Sequence, residues 1–220
     1  MAINLQKGQR INLEKSTGAK LTNFCVGVNW GAIEVSGGFL GFGKKTTDVD
    51  LDLSCILIDE NKKICDHIYS PLYREDFLQR LGLPKGKLVT NDGALRHSGD
   101  DLAGDKDGDD GLDNEIISVD LGKLSSNVAQ IFFFLNNVGK EDFSMIPYAK
   151  IRMYEGTPTR VYEVFASYNV SAEQQYSSKR AMIMGKLYKK EGAWKFNAIG
   201  DATDDASLAH TIDRIVKSYV

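Results

Sequence analysis

The sequence predicts an all-β protein, an antiparallel β-sandwich of two packed sheets with a few short helices and a C-terminal amphipathic helix. Many short segments alternate between apolar and polar residues or are rich in β-branched residues, which is typical of strands. Short polar turns separate these segments, as at Asp59-Glu60-Asn61 and Glu191-Gly192. Short strands joined by short turns favour an antiparallel sandwich or barrel over a βαβ fold.

Eight segments carry the strand pattern. In chain order they are residues 24–30, 49–58, 116–121, 128–135, 149–153, 160–168, 181–189 and 194–199. The segment 149–153 alternates strictly, so it has one apolar face and one basic face that carries Lys150 and Arg152. The remaining segments have too little helical periodicity to change the predicted class.

Two helices are predicted. Behind Asp204 and Asp205, apolar residues spaced i, i+4, i+7 and i+11 predict an amphipathic C-terminal helix through Leu208, Ile212, Ile215 and Tyr219. A short helix is also predicted over 74–81, ending near Gly82 and Pro84. No linker-like stretch and no internal repeat divides the sequence, so residues 1–220 are predicted to form a single domain.

The composition is that of an ordinary globular protein. The 220 residues are 42% hydrophobic and 26% charged, with a formal net charge of −3, which argues against a disordered, fibrous or disulfide-scaffolded chain. No run approaches the roughly 20 apolar residues of a spanning helix, and the N-terminus lacks a secretory apolar core. We therefore expect a cytoplasmic protein with no direct membrane insertion. Three cysteines without metal-ligand spacing (Cys25, Cys55 and Cys65) indicate buried thiols in a reducing compartment.

Negative charge is concentrated in one stretch. Residues 100–115 hold eight acids and one lysine, a local charge of −7, which leaves the other 204 residues at +4. Close carboxylate pairs repel by roughly 1 to 4 kcal/mol, depending on the local dielectric. An ordered chain tolerates such a stretch only with a compensating cation, whereas a flexible loop would leave it solvated. Both interpretations are open at this point.

A second acidic set, Asp48, Asp50 and Asp52, lies on alternate residues at the start of a predicted strand and would share one face. If this strand end lies beside the 100–115 stretch, the two sets form one cage of carboxylates. Carboxylate oxygens and glycine-rich turns without a His or Cys cluster suit a hard cation, with Ca²⁺ ranked before Mg²⁺.

Several familiar motifs are incomplete or missing in this sequence. The glycine-rich segment 38–45 resembles a phosphate-binding loop, but Lys45 occupies the slot that needs a hydroxyl. Every register of a helix-loop-helix calcium loop fails within 100–115, because its obligatory Gly or its first or last ligand is missing. No nucleophile elbow is present, and His97 is predicted to steady the acidic loop through a hydrogen bond rather than to act in catalysis. The negative net charge argues against nucleic-acid binding.

The acidic segment 99–110 resembles the signature of the TerD family of tellurium/tellurite-resistance and general stress proteins. That signature begins Gly-Asp-Asn-x-Thr-Gly and runs through a glycine-rich acidic stretch to Asp-Asp-Glu. Further segments match in the same order: the opening strand 5–13, the Gly-x-x-Trp strand 26–30, the Asp-Leu-Asp-x-Ser element 50–54, the strand 117–121 and the closing Gly-x-Leu-Tyr and Trp-Lys-Phe-x-Ala-Ile-Gly block within 185–200. This chain departs from the signature at Asp101, Ala103 and Lys106, and residues 111–114 are inserted.

The resemblance implies a calcium-binding β-sandwich of the bacterial cytoplasm that takes part in the stress response and has no enzymatic activity. It implies partners among other Ter-type stress proteins, including a membrane-embedded Ter partner. Carried over by position, the implied metal ligands are Asp50, Asp52, Asp100, Asp101, Asp105, Asp107, Asp109, Asp110 and, as the acid that closes the signature, Glu115.

Two other functions stay open from the sequence. The same acidic site could serve a divalent-metal-dependent enzyme or a phosphate- or nucleotide-handling protein. The acidic loop could also dock on a basic partner without any metal, which salt would then weaken.

Overall fold

The computed structural model describes residues 3–4, 7–14, 18–36, 44–171 and 174–220. In chain order its strands and helices are β1 (Ile3–Asn4), β2 (Arg10–Asn12), β3 (Asn23–Trp30), β4 (Ile33–Ser36), β5 (Lys44–Thr47), β6 (Leu51–Asp59), β7 (Ile64–Ile68), α1 (Glu75–Arg80), β8 (Leu95–His97), β9 (Glu115–Asp120), β10 (Val128–Asn137), β11 (Tyr148–Thr157), β12 (Arg160–Ser171), β13 (Ala181–Lys190), β14 (Ala193–Thr203) and α2 (Leu208–Ser218). Single 3-10 turns occur at Phe143–Met145 and Gln174–Tyr176.

Two six-stranded sheets pack face to face. The first has the order β1-β12-β11-β3-β9-β8 and the second the order β2-β14-β13-β10-β6-β7, while β4 and β5 form a separate hairpin. Apart from the parallel pair β1 and β12, the pairs within the two sheets are antiparallel. The predicted antiparallel β-sandwich is therefore confirmed.

The main core lies between the two sheets. Its side chains come from alternate positions of the strands, since successive residues of a strand face opposite sides of the sheet. On β10, Ile131, Phe133 and Leu135 point into this core, whereas Phe132 and Phe134 point outward into a second cluster. Burial on both faces explains why β10 is apolar almost throughout.

Both helices cover that second cluster on the outer face of the second sheet. The buried face of α2 consists of Leu208, Thr211, Ile212 and Ile215, and α1 contributes Leu78. The predicted C-terminal helix and the predicted short helix are both present. No helix among the described residues is long and apolar enough to cross a membrane.

The eight predicted strands are present with shifted ends, and six short strands were missed. The predicted strand 49–58 begins at Leu51, because Val49, two residues earlier, donates its backbone N–H to the carbonyl of Ala103 in the acidic loop instead of to a strand. The strands that the alternation pattern missed, β1, β2, β4, β5, β7 and β8, have two to five residues each, too few for alternation to be recognised. Of these, β2 lies within the opening strand 5–13 that the resemblance implied. Most of the glycine-rich segment 38–45 lies outside the described residues, and the single-domain assignment of 1–220 stays a prediction.

Candidate metal centre

The candidate site lies at one end of the sandwich, where β6 of the second sheet passes β9 of the first. Asp52 is the second residue of β6 and Glu115 the first residue of β9, and Asp100 lies in the acidic loop between β8 and β9. Carboxylate oxygens of Asp52, Asp100 and Glu115 lie within 4.8 Å of one another. We call these three residues the carboxylate triad. Residues far apart in the chain thus meet because the two sheets pack with these strand ends side by side.

Two members of the triad are buried and Asp100 is half-buried, and no lysine or arginine among the described residues forms an ion pair with them. Asp52 is 5% exposed and Glu115 is fully buried. Among the ion pairs between described residues, the triad has only a contact of 3.4 Å between His97 Nε2 and Glu115 Oε2. Asp50 lines a small cavity together with Asp52, and its Oδ1 is buried without a hydrogen-bond partner among the described residues. Buried carboxylates without a counter-charge are costly, so either a bound proton or a bound cation would stabilise this arrangement.

Hydrogen bonds fix the two oxygens of Glu115. The backbone N–H of Leu53 donates to Oε2 at 2.6 Å, and the N–H of Asp101 donates to Oε1 at 3.1 Å. His97 Nδ1 accepts the Gly99 N–H at 3.0 Å, which assigns the ring proton to Nε2, the nitrogen that faces Glu115. The hydrogen bond predicted for His97 therefore goes to a triad carboxylate and to the start of the acidic loop.

Burial and mutual repulsion raise the pKa values of these carboxyl groups. Burial, followed by the Glu115, Asp100 and Asp101 charges, raises the pKa of Asp50 to about 6. Burial is also the largest cause for Asp52, whose pKa is about 8 even though the Tyr73 hydroxyl donates a hydrogen bond to it. The pKa of Glu115 is raised by burial as well, against the contacts from His97, Leu53 and Asp101. A divalent cation would favour the ionised forms of all three groups.

The predicted ligands fall into two sets. The structure brings the carboxylates of Asp52, Asp100 and Glu115 together. Asp50 lies beside them and lines a small cavity with Asp52. The rest of the predicted ligands, Asp101, Asp105, Asp107, Asp109 and Asp110, lie outside the triad, and their role as ligands stays a prediction. Asp48, which the alternation placed on the same face as Asp50 and Asp52, is exposed and pairs with Lys106 at 3.0 Å.

Asp101 and Asp105 shape the loop through neutral donors. Asp101 Oδ1 accepts the N–H groups of Ala103 and Gly104, both at 2.9 Å. Asn114 donates its amide to Asp101 at 3.2 Å and to Asp105 at 3.1 Å, and Tyr148 donates its hydroxyl to Asp105 at 2.8 Å. These two carboxylates therefore already have hydrogen-bond donors around them.

The second half of the acidic loop lies against the basic face of β11. Lys150 forms an ion pair with Asp109, and Arg152 Nε donates to Asp113 Oδ2 at 3.0 Å. Arg152 also donates to the carbonyl of Gly111 at 2.9 Å. The sequence predicted the acidic stretch and the basic strand face separately, and the fold joins them. Asp107 and Asp110 are exposed on this part of the loop.

Sequence reasoning missed the polar groups that surround the site without being acidic. Ser70 donates its hydroxyl to Asp100 Oδ2 at 2.9 Å, and Tyr73 donates to Asp52. Asn29 donates to Asp105 at 3.2 Å and to the carbonyl of Leu112. Serine, tyrosine and asparagine are common in turns and strands, so their sequence positions alone carry no signal for this site.

The fold and the site define a β-sandwich protein with a buried carboxylate cluster at one end. The chain belongs to the TerD family, because the family model described as the TerD domain matches residues 1–215. It is therefore a member of a family of tellurium-resistance and stress proteins, which confirms the resemblance seen in the sequence.

Named relatives agree with this assignment. The chain is 32% identical to stress response protein SCP2 of Bacillus subtilis (strain 168), over 98% of this chain and 100% of that protein. It is 29% identical to tellurium resistance protein TerZ of Serratia marcescens, over 99% of each. A solved structure described as a homologue of telluride resistance protein (TerD), SCO6318 from Streptomyces coelicolor A3(2), matches with a TM-score of 0.58 at 14% identity, over 84% of this chain and 92% of that one. At that identity the structural match shows a shared fold.

Proposed function

We propose that this chain is a calcium-binding, non-enzymatic stress-response protein of the tellurite-resistance type. The carboxylate triad carries the proposal, since three carboxylates converge, two of them buried, and no lysine or arginine among the described residues forms an ion pair with them. Asp52, Asp100 and Glu115 would hold the ion, with Asp50 beside them.

The chemistry of the donors supports Ca²⁺ over softer metals. All the candidate ligand atoms are carboxylate oxygens, which hard cations prefer. Ca²⁺ tolerates irregular coordination and mixes carboxylates with carbonyl oxygens and water, whereas Mg²⁺ requires near-octahedral geometry. Because Asp52 and Glu115 belong to different sheets, holding a common ion would tie the two sheets together at this end.

The size of the adjoining cavity supports binding rather than catalysis. The cavity lined by Asp50, Asp52, Ser70 and Tyr73 has a volume of about 80 Å³, room for two or three waters at about 30 Å³ each. Small-molecule sites usually have volumes of about 300 to 1,000 Å³. An ion with its waters fits this cavity, and a nucleotide does not.

Calorimetric titration of chelator-treated protein with CaCl₂ and with MgCl₂ tests the proposal. We expect saturable binding of Ca²⁺, weaker binding of Mg²⁺, and a rise in melting temperature with Ca²⁺. At a hundredfold excess over Kd, binding to the folded state adds about 2.7 kcal/mol to the free energy of unfolding. Absence of both heat and thermal shift would overturn the proposal. Turnover in a nucleotide and phosphoester screen with metal present would instead favour an enzyme.

The proposal extends to location and partners. We infer a cytoplasmic protein that associates with other Ter-type stress proteins, including a membrane-embedded Ter partner, on the strength of its family membership. Association that requires Ca²⁺ and is lost with Asp52→Asn would support the calcium site as the partner-binding element. Salt-sensitive association that persists in chelator would point to metal-independent docking of the acidic loop.

A further inference from the structure

One turn supplies hydroxyl groups to two members of the triad. Residues 70–73 connect β7 to α1, and Ser70 Oγ donates to Asp100 Oδ2 at 2.9 Å. Three residues later, Tyr73 lines one small cavity together with Asp52, and a hydrogen bond from its hydroxyl opposes the rise that burial causes in the pKa of Asp52. Asp52 and Asp100 come from different parts of the chain, so a single turn contacts both.

The turn is itself held in place. Leu72 N–H donates to Ser70 Oγ at 3.1 Å, and Ser70 is 5% exposed. The Tyr73 ring packs edge-on against Tyr69, with ring centres 6.4 Å apart, and the Tyr69 hydroxyl donates to the carbonyl of Pro84 at 2.7 Å. The Ser70 and Tyr73 hydroxyls are thus presented by a braced turn rather than by freely rotating surface side chains.

Uncharged donors suit a cation site. A carboxylate has two oxygens with about four acceptor positions, so one hydroxyl fixes its orientation and leaves the other positions for an ion. A lysine or arginine in the same place would repel a divalent cation, and a hydroxyl does not. We propose that Ser70 and Tyr73 are positioning residues of the divalent-cation site, and that the turn 70–73 responds to occupancy of the site. This inference rests on the proposed function.

The turn 70–73 reaches the protein surface at an apolar side chain. Leu72 lies between the two hydroxyl residues and is 65% exposed. It lines the cavity mouth with Leu102, the residue after Asp101, and with Val138, whose N–H donates to the carbonyl of Asp50 at 3.0 Å. Each of these apolar residues is thus either a near neighbour in sequence of a residue of the site or hydrogen-bonded to one through its backbone.

Two variants test the positioning role against a matched control. Tyr73→Phe and Ser70→Ala each remove one hydroxyl, and loss of such an outer contact costs about 10- to 100-fold in metal affinity. We expect the calcium Kd to rise at least tenfold in both variants. Ser70→Thr retains a hydroxyl at this position, so its calcium Kd should be close to that of wild type. The control Tyr162→Phe removes a phenol that is 61% exposed on β12 and belongs to neither the turn nor the triad, so its Kd should stay within twofold of wild type. Melting temperatures in chelator show that each variant is folded.

A spectroscopic measurement separates positioning from a general packing effect. In protein labelled with 3-fluorotyrosine, the ¹⁹F resonance missing from Tyr73→Phe identifies Tyr73. That resonance should shift on addition of CaCl₂, and the resonance of the exposed Tyr162, identified in the same way from Tyr162→Phe, should move much less. Wild-type affinity in both hydroxyl variants, or an unmoved Tyr73 resonance, would overturn the inference while leaving the calcium site intact. A wild-type protein that binds no Ca²⁺ would instead overturn the proposed function.

Discussion

Glu115, at the start of β9 in the first sheet, accepts a hydrogen bond of 2.6 Å from the backbone N–H of Leu53 on β6 of the second sheet. On that side of β6 the neighbouring strand β7 extends only to the pair Cys55 and Ile68, so Glu115 takes the place of a strand partner. The bond holds Glu115 beside Asp52, the residue before Leu53. A backbone N–H of β6 that β7 leaves unpaired thus forms a hydrogen bond between the two sheets, at the position where the carboxylates of the triad meet.

Asp52→Asn should weaken calcium binding and leave the metal-free protein folded. The change removes a buried carboxylate whose pKa of about 8 reflects burial and repulsion by Glu115 and Asp50. We expect the calcium Kd to rise at least tenfold by calorimetry and the melting temperature in chelator to stay equal or increase. Asp213→Asn is the control, since Asp213 is an exposed carboxylate on α2 that pairs with Lys217 and is not among the predicted ligands. If Asp52→Asn instead lowers the melting temperature in chelator and leaves the calcium Kd unchanged, Asp52 is a structural hydrogen-bonding group.

The stability of the metal-free protein should fall as the pH rises from about 6.5 to 8. Asp52 has a pKa of about 8 when folded against an ordinary value of 3.8, so the folded chain retains a proton that the unfolded chain has released. The free energy of unfolding therefore decreases with pH in this window. Below 6.5 the buried His67, whose pKa is lowered by burial, acts in the opposite sense.

Urea unfolding in chelator at several pH values measures this slope. Asp52→Asn should flatten it, and saturating CaCl₂ should do the same, because an ion on the carboxylate keeps Asp52 ionised in the folded state. A slope that survives Asp52→Asn unchanged would assign the effect to another group.

Removing Arg152 should destabilise the protein far more than removing Lys150. The Asp113 side chain is fully buried and its pKa is raised by burial despite Arg152, so Arg152→Met leaves an unpaired buried carboxylate at a cost of about 3 kcal/mol. Lys150→Met breaks a pair that is 43% and 31% exposed, worth less than about 1 kcal/mol. Urea unfolding in chelator compares the two.

The double variant Arg152→Met with Asp113→Asn completes the comparison. Because the second change removes the stranded charge, the double variant should recover most of the lost stability, and the two effects should be strongly non-additive. Additive losses would show that Arg152 acts through packing of its side chain and not through Asp113.

Gly104→Ala should disturb the site more than Gly108→Ala, although both glycines have positive φ. Their φ values are +69° and +96°, where any other residue is strained. A Cβ on Gly104 would also lie 2.5 Å from the Trp30 indole, while nothing lies within 4 Å of one on Gly108. We expect altered Trp30 fluorescence and weaker calcium binding for Gly104→Ala alone. Equal effects would mean that backbone strain, and not contact with Trp30, is the cause.

The sequence determined the fold class because its information is local. Alternation along β11, and the i, i+4, i+7 spacing of Leu208, Ile212 and Ile215, record which side of each element is buried. The sequence also located the acidic stretch and the Asp50 and Asp52 pair, since charge density can be counted along the chain. Strands of two to five residues such as β7 and β8 escaped, because so short a segment shows too little alternation.

The tertiary structure alone decided which carboxylates share a site. Asp52, Asp100 and Glu115 meet because β6 and β9 lie side by side in different sheets, a relation that no spacing along the chain expresses. The same packing set Asp109 and Asp113 against Lys150 and Arg152, and it placed the Ser70 and Tyr73 hydroxyls on the triad. Counter-charges and hydrogen-bond donors act through space, so only the folded chain separates the carboxylates that basic residues neutralise from those that have no basic partner.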